Sequence, residues 1–136
     1  MKRLTILFLV TILMVFLFGQ ISYTVAPYKN WDLAGYRRIA AAAPALATNN
    51  CQPLAYRLLG PYLVGLLPVS DPVGFYGLSV LASIVLVFLF YKFLQTDGLS
   101  PAVALITVIL FTFNRFWFGA TVWDFFQIND LLSLVW

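Results

Sequence analysis

Little in this 136-residue chain can do chemistry, and most of what can lies in two polar stretches, 31–57 and 115–130. The chain has five acids, all aspartates (Asp32, Asp71, Asp97, Asp124 and Asp130), one cysteine, Cys51, and no histidine. Without histidine there is no Ser-His-Asp or Cys-His catalysis, no imidazole metal ligation and no ordinary proton shuttle near neutral pH. Ionisable chemistry therefore falls to Asp, Tyr, Lys and Arg. Cys51 alone makes neither an intrachain disulfide nor a multi-cysteine metal site. Asp32 shares the first polar stretch with Arg37, Arg38 and Arg57, while Asp124 and Asp130 follow Arg115 in the second. Guanidinium groups pair bidentately with phosphate, and an arginine in a short apolar segment, as Arg57 is, calls for a partner.

The elements that must position these residues are apolar. With 62% hydrophobic and 10% charged residues, the chain has too little polar surface to stay dissolved as a domain, so the bilayer is its expected solvent. The net charge of +3 comes from scattered Lys and Arg. Without a basic stripe the expected partners are membrane lipids and other membrane proteins, not nucleic acid. A membrane-crossing helix takes about 20 apolar residues to traverse roughly 30 Å of hydrocarbon. The expected fold is an all-α membrane protein, a single module over 1–136. Its three transmembrane helices lie near 4–26, 72–93 and 101–118, and a fourth begins at the C-terminal end. The first run is longer than the apolar core of a signal peptide, typically about 7 to 15 residues, so an uncleaved helix is expected there. Ser70-Asp71-Pro72 and Ser100-Pro101 are helix-start signals, and Asp97-Gly98 marks the turn between the second and third helices.

Two interfacial helices are expected in the long first loop. Leu33, Tyr36, Ala40 and Ala43 share one helical face, with Arg37 and Arg38 largely off it, giving an amphipathic helix over 33–43 on the membrane surface. The segment 53–68 covers only about 22 Å as a helix and is expected to be interfacial or re-entrant, kinked at Pro61. Ordinary explanations cover the same residues. Asp32 is well placed to cap the helix that starts at Leu33, and Asp130 to cap a following one. Arg37 and Arg38 suit interfacial anchors, Arg57 can snorkel, and Trp31, Tyr36, Trp117 and Trp123 suit an aromatic belt.

With three crossings, the first loop and the 115–130 loop share one side, and Asp32, Asp124 and Asp130 could face one cavity. A crossing by 53–68 would separate them. The chain begins as signal sequences do, so a cytoplasmic N-terminus in the cell (inner) membrane is expected. Counting charges argues the other way, since Lys29, Arg37, Arg38, Arg57 and Arg115 then lie outside and only Lys2, Arg3 and Lys92 inside.

The run Trp31-Asp32-Leu33-Ala34-Gly35-Tyr36-Arg37-Arg38-Ile39-Ala40, followed by Tyr56-Arg57-Leu58-Leu59-Gly60-Pro61-Tyr62-Leu63, resembles the start of a GT-C glycosyltransferase. Members of that superfamily are polytopic enzymes that use polyprenyl-phosphate-linked sugar donors. They carry an acid and two juxtamembrane helices in the first external loop, and often further acids in the next. The resemblance implies that the chain is the N-terminal portion of a longer enzyme, inactive in isolation, that transfers sugar on the non-cytoplasmic face. It makes Asp32 the first-loop acid, a general base toward an acceptor hydroxyl or a metal ligand, and Asp124 and Asp130 the second-loop acids. Arg37, Arg38 and Arg57 would bind the donor phosphate. Five residues separate Asp124 from Asp130, against the close spacing of metal-binding branches, so no metal or other cofactor is expected. The alternative is a small non-enzymatic membrane protein that docks to a larger complex through its loops.

Overall fold

A computed structural model describes residues 2–18, 33–45 and 58–114, with Phe18 and Leu33 described by backbone alone. These residues form five helices: α1 (Lys2–Phe18), α2 (Leu33–Ala42), α3 (Leu59–Gly65), α4 (Asp71–Thr96) and α5 (Pro101–Thr112). The all-helical architecture matches the expectation from sequence. Among the described residues only α4, with 26 residues, is long and apolar enough to cross a membrane, where three crossing helices were expected.

The start of α4 follows from its sequence. Ser70 is extended, Asp71 and Pro72 open the first turn, and the Gly74 amide donates to the Ser70 carbonyl at 2.9 Å. Ser70 itself makes no side-chain capping bond. At the other end α4 runs on to Thr96, three residues past the expected 93, because a glycine is needed to stop it. Gly98 adopts φ +93°, the Leu99 amide donates to the Leu94 carbonyl at 3.0 Å, and the Gly98 amide donates to Gln95 at 3.3 Å. This pair of bonds is a Schellman closure, which satisfies carbonyls that the helix end would otherwise orphan. The chain then turns directly into α5, where the Val103 amide donates to the Ser100 hydroxyl at 3.4 Å and Pro101 fills the first turn.

Three further helices differ from their expected bounds. Helix α5 ends at Thr112, not 118. The Thr112 hydroxyl donates back to the Ile109 carbonyl at 2.7 Å, and the Asn114 amide closes a tight turn onto Phe111 at 3.0 Å. At 1.5 Å per residue its 12 residues cover about 18 Å, short of a crossing. Helix α3 occupies Leu59–Gly65 within the expected 53–68, whose first five residues lie outside the described set. Pro61 falls in its first turn, where a missing N–H costs nothing, so no kink arises. Helix α1 begins at Lys2, and the remainder of the expected 4–26 lies beyond its described end at Phe18.

Two apolar clusters divide α4 between them. Along its second half, Val87 and Tyr91 are buried with Leu7, Met14 and Val15 of α1 and with Ala104 and Val108 of α5. Along its first half, Phe75 and Ala82 are buried with Tyr36, Ile39 and Ala40 of α2 and Val64 of α3. Helix α1 runs antiparallel to α4, since the Tyr76 hydroxyl donates to the Val15 carbonyl at 3.3 Å while Lys2 and Arg3 border Tyr91 and Lys92. The polar groups inside are satisfied locally. The Thr11 hydroxyl donates to Leu7 and the Ser83 hydroxyl to Ser79, each at 2.8 Å, which lets two buried hydroxyls lie in apolar surroundings without a cross-helix partner.

The buried face of α4 repeats at helical spacing through Phe75, Ser79, Ala82, Ser83, Val87 and Tyr91. A second stripe, Leu81, Val85, Leu89 and Phe93, is exposed and wholly apolar. Leu9, Leu13, Phe16 and Leu17 of α1, with Phe16 at 84% exposure, and Val103, Ile106 and Leu110 of α5 extend that apolar exterior.

Candidate functional site

The amphipathic face expected on α2 is present. Tyr36, Ile39 and Ala40 are buried, and Arg37 and Arg38 are exposed. The partner of that face is protein, however. Helix α2 packs on α3, which in turn packs on α4, and the buried side chains of α2 join Val64 and Phe75 in one cluster. The expectation was an amphipathic helix lying on the membrane surface, with no protein partner named for its apolar face. The protein partner comes from α3, whose short apolar stretch buries Val64 in that cluster.

Close approach of backbones makes this packing possible. A methyl group added at Gly65, the last residue of α3, would overlap the Ala40 carbonyl oxygen and come within 2.7 Å of both the Ala40 carbonyl carbon and the Ala43 Cβ. A second tie holds the same corner, with the Tyr62 hydroxyl donating to the Pro44 carbonyl at 3.1 Å.

Of the four basic and acidic residues assigned to the first loop, Arg37 and Arg38 are described, and Asp32 and Arg57 lie outside the described residues. The second-loop acids Asp124 and Asp130 also lie outside them. Arg37 and Arg38 are adjacent on α2, at the end of the bundle where α4 begins. Arg37 reaches across to that helix, and its Nε donates to the Asp71 carboxylate at 3.2 Å. Asp71 serves two roles there. Its negative charge in the first turn complements the positive end of the α4 dipole, and it anchors the arginine. Arg37 thus has a protein carboxylate beside it, which neither the phosphate-ligand nor the interfacial-anchor expectation included. The pairing spans 34 residues, and the one hint of it in the sequence is an acid opening a long helix.

Both side chains are partly exposed, Arg37 at 55% and Asp71 at 36%, so the pair is worth little as a staple. A double-mutant cycle of Arg37→Gln and Asp71→Asn should return a coupling of about 0.5 kcal/mol that fades with salt. A coupling several times larger and insensitive to salt would instead mark a buried structural bridge. The weak coupling has a chemical consequence, because an exposed guanidinium beside a carboxylate can also pair with a phosphate oxygen. Among the described residues no three Asp, Glu, His or Cys side chains come close enough together to hold a metal ion. Compared with protein-family models, curated protein sequences and solved structures, the chain matches none.

Proposed function

We propose that the chain is a multi-pass membrane module, with α1, α4 and α5 embedded side by side, forming the N-terminal part of a GT-C-type glycosyltransferase. In this reading it takes sugar from a lipid-linked phosphate donor on the non-cytoplasmic face. The apolar exterior of α1, α4 and α5 supports the membrane half of the reading. So many exposed apolar side chains in water would drive association, whereas in hydrocarbon they have their natural solvent. Helices α1 and α4 cross, and α5 returns along the second half of α4 toward the outer side.

The observation that carries the enzymatic half is the α2–α3 pair, seated on the first half of α4 and presenting Arg37 and Arg38 where α1 ends and α4 begins. Transfer from a lipid phosphate needs positive charge near the leaving phosphate, a base near the incoming hydroxyl, and a site at the membrane surface so that the lipid tail stays in the bilayer. Arg37 and Arg38, with Arg57, supply the charge. Asp32, which immediately precedes α2 in the sequence, supplies the base. The test is transfer from a polyprenyl-phosphate sugar by membranes that carry the protein, compared with Asp32→Asn. Loss of transfer with membrane insertion intact is the expected result, and undiminished transfer would remove Asp32 from its role.

A further inference from the structure

At the end of the bundle opposite α2 and α3, the start of α1 and the last turns of α4 enclose a recess of about 430 Å³ lined by Lys2, Arg3, Leu4, Tyr91, Lys92 and Gln95. That volume falls within the range of small-ligand sites, roughly 300 to 1,000 Å³. Its chemistry is one-sided. Three of the chain's eight cations converge there from sequence positions some ninety residues apart, and among the described residues no carboxylate lines it. Asp97, the nearest acid in sequence, sits exposed beyond the end of α4 and is not part of the lining. Like charges gathered in one concavity repel, and an anion is what relieves the repulsion. Polar donors are present beside them. Gln95 donates to the buried Tyr91 hydroxyl at 3.1 Å, which orients both groups, and the hydroxyl can itself donate. The height of the recess points to the ligand. Exposed Leu4 and Ile6 on α1 and Leu89 and Phe93 on α4 begin the apolar exterior directly next to it, so the recess sits where that exterior meets the charged end of the bundle.

We propose that this recess binds the phosphate of an anionic membrane lipid, on the membrane face opposite α2 and α3. The acyl chains of such a lipid would lie along the exposed stripe of α1 and α4. Basic pockets between membrane helices recognise anionic headgroups in this way, each cation near the membrane surface adding to the affinity. The proposal rests on the membrane reading and is independent of sugar transfer.

The test uses the full chain in a nonionic detergent and titrates dioctanoyl phosphatidylglycerol, with inorganic phosphate as a separate arm. Arg3→Gln and Lys92→Gln should each weaken lipid binding about fivefold, the weight of one cation at an anionic surface. Lys29→Gln, which removes a cation assigned to neither site, should leave it unchanged, and millimolar inorganic phosphate should not displace the lipid. Equal losses in all three variants would reduce the effect to general surface charge and overturn the site. So would unchanged affinity in Arg3→Gln and Lys92→Gln, and so would phosphate alone binding as tightly as the lipid. Flotation of the wild-type chain with neutral phosphatidylcholine vesicles tests the membrane reading separately, because it requires no anionic headgroup.

Discussion

Gly65→Ala should detach α3 from α2 and cost about 3 kcal/mol, at the upper end of what overpacking a well-filled contact does. The added methyl group meets backbone. It would overlap the Ala40 carbonyl oxygen and lie 2.7 Å from the adjoining carbon and from the Ala43 Cβ, so no side-chain rotation relieves it. Either α2 or α3 must move, and both are fixed by Tyr36, Ile39 and Val64 in the cluster around Phe75. The same substitution elsewhere provides the control. At Gly77, an exposed position within α4, an added methyl group finds nothing within 4 Å, and Gly→Ala there should stabilise by about 0.5 to 1 kcal/mol through helix propensity. At Gly74 the methyl group meets the Val64 Cγ1 at 2.8 Å, the end of a side chain that has some room to shift, so an intermediate loss is expected. Denaturant titration of the three variants in detergent, followed by far-UV circular dichroism, orders them. A Gly65→Ala midpoint equal to that of Gly77→Ala would show that the α2–α3 contact is looser than the geometry requires.

Asp32→Asn should have the largest effect on activity. Asparagine keeps the size and capping ability of aspartate, so α2 loses little, but its amide cannot accept a proton at neutral pH. If Asp32 is the base toward the acceptor hydroxyl, transfer should fall by about 10² to 10⁴-fold, the usual contribution of a positioned general base. Insertion and thermal stability should change little, since asparagine caps a helix start about as well as aspartate. The docking alternative predicts the reverse pattern. Asp32→Asn would then be nearly silent, and Trp123→Ala or Phe126→Ala would abolish recovery of the partner in a pull-down.

The parts of the fold that local chemistry dictates were legible in the sequence. Ser100-Pro101 starts a helix, Asp97-Gly98 turns the chain, and the Tyr36 and Ala40 face of α2 is buried, as their types and spacing require. Relations between distant segments were not legible. Nothing near Arg37 announces Asp71, and nothing near Gly65 announces Ala40, because such contacts depend on how α2, α3 and α4 settle against one another. The early end of α5 was missed for a related reason. The apolar run continues past Thr112, but its hydroxyl and the turn at Asn114 close the backbone. Of the candidate site, Arg37 and Arg38 fall together on an exposed face as their spacing implied.

The central claim is that α4 crosses a membrane with α2 and α3 outside, and it can be measured by labelling single cysteines in intact cells. With Cys51 replaced by serine, Ala34→Cys on the exposed side of α2 and Asp97→Cys past the end of α4 report the two ends of the bundle. A membrane-impermeant maleimide should label Ala34→Cys in whole cells and Asp97→Cys only after lysis. Labelling of both positions from the outside, or of neither before lysis, would contradict a crossing by α4. The reverse pattern would keep the crossing but put the proposed site on the cytoplasmic face.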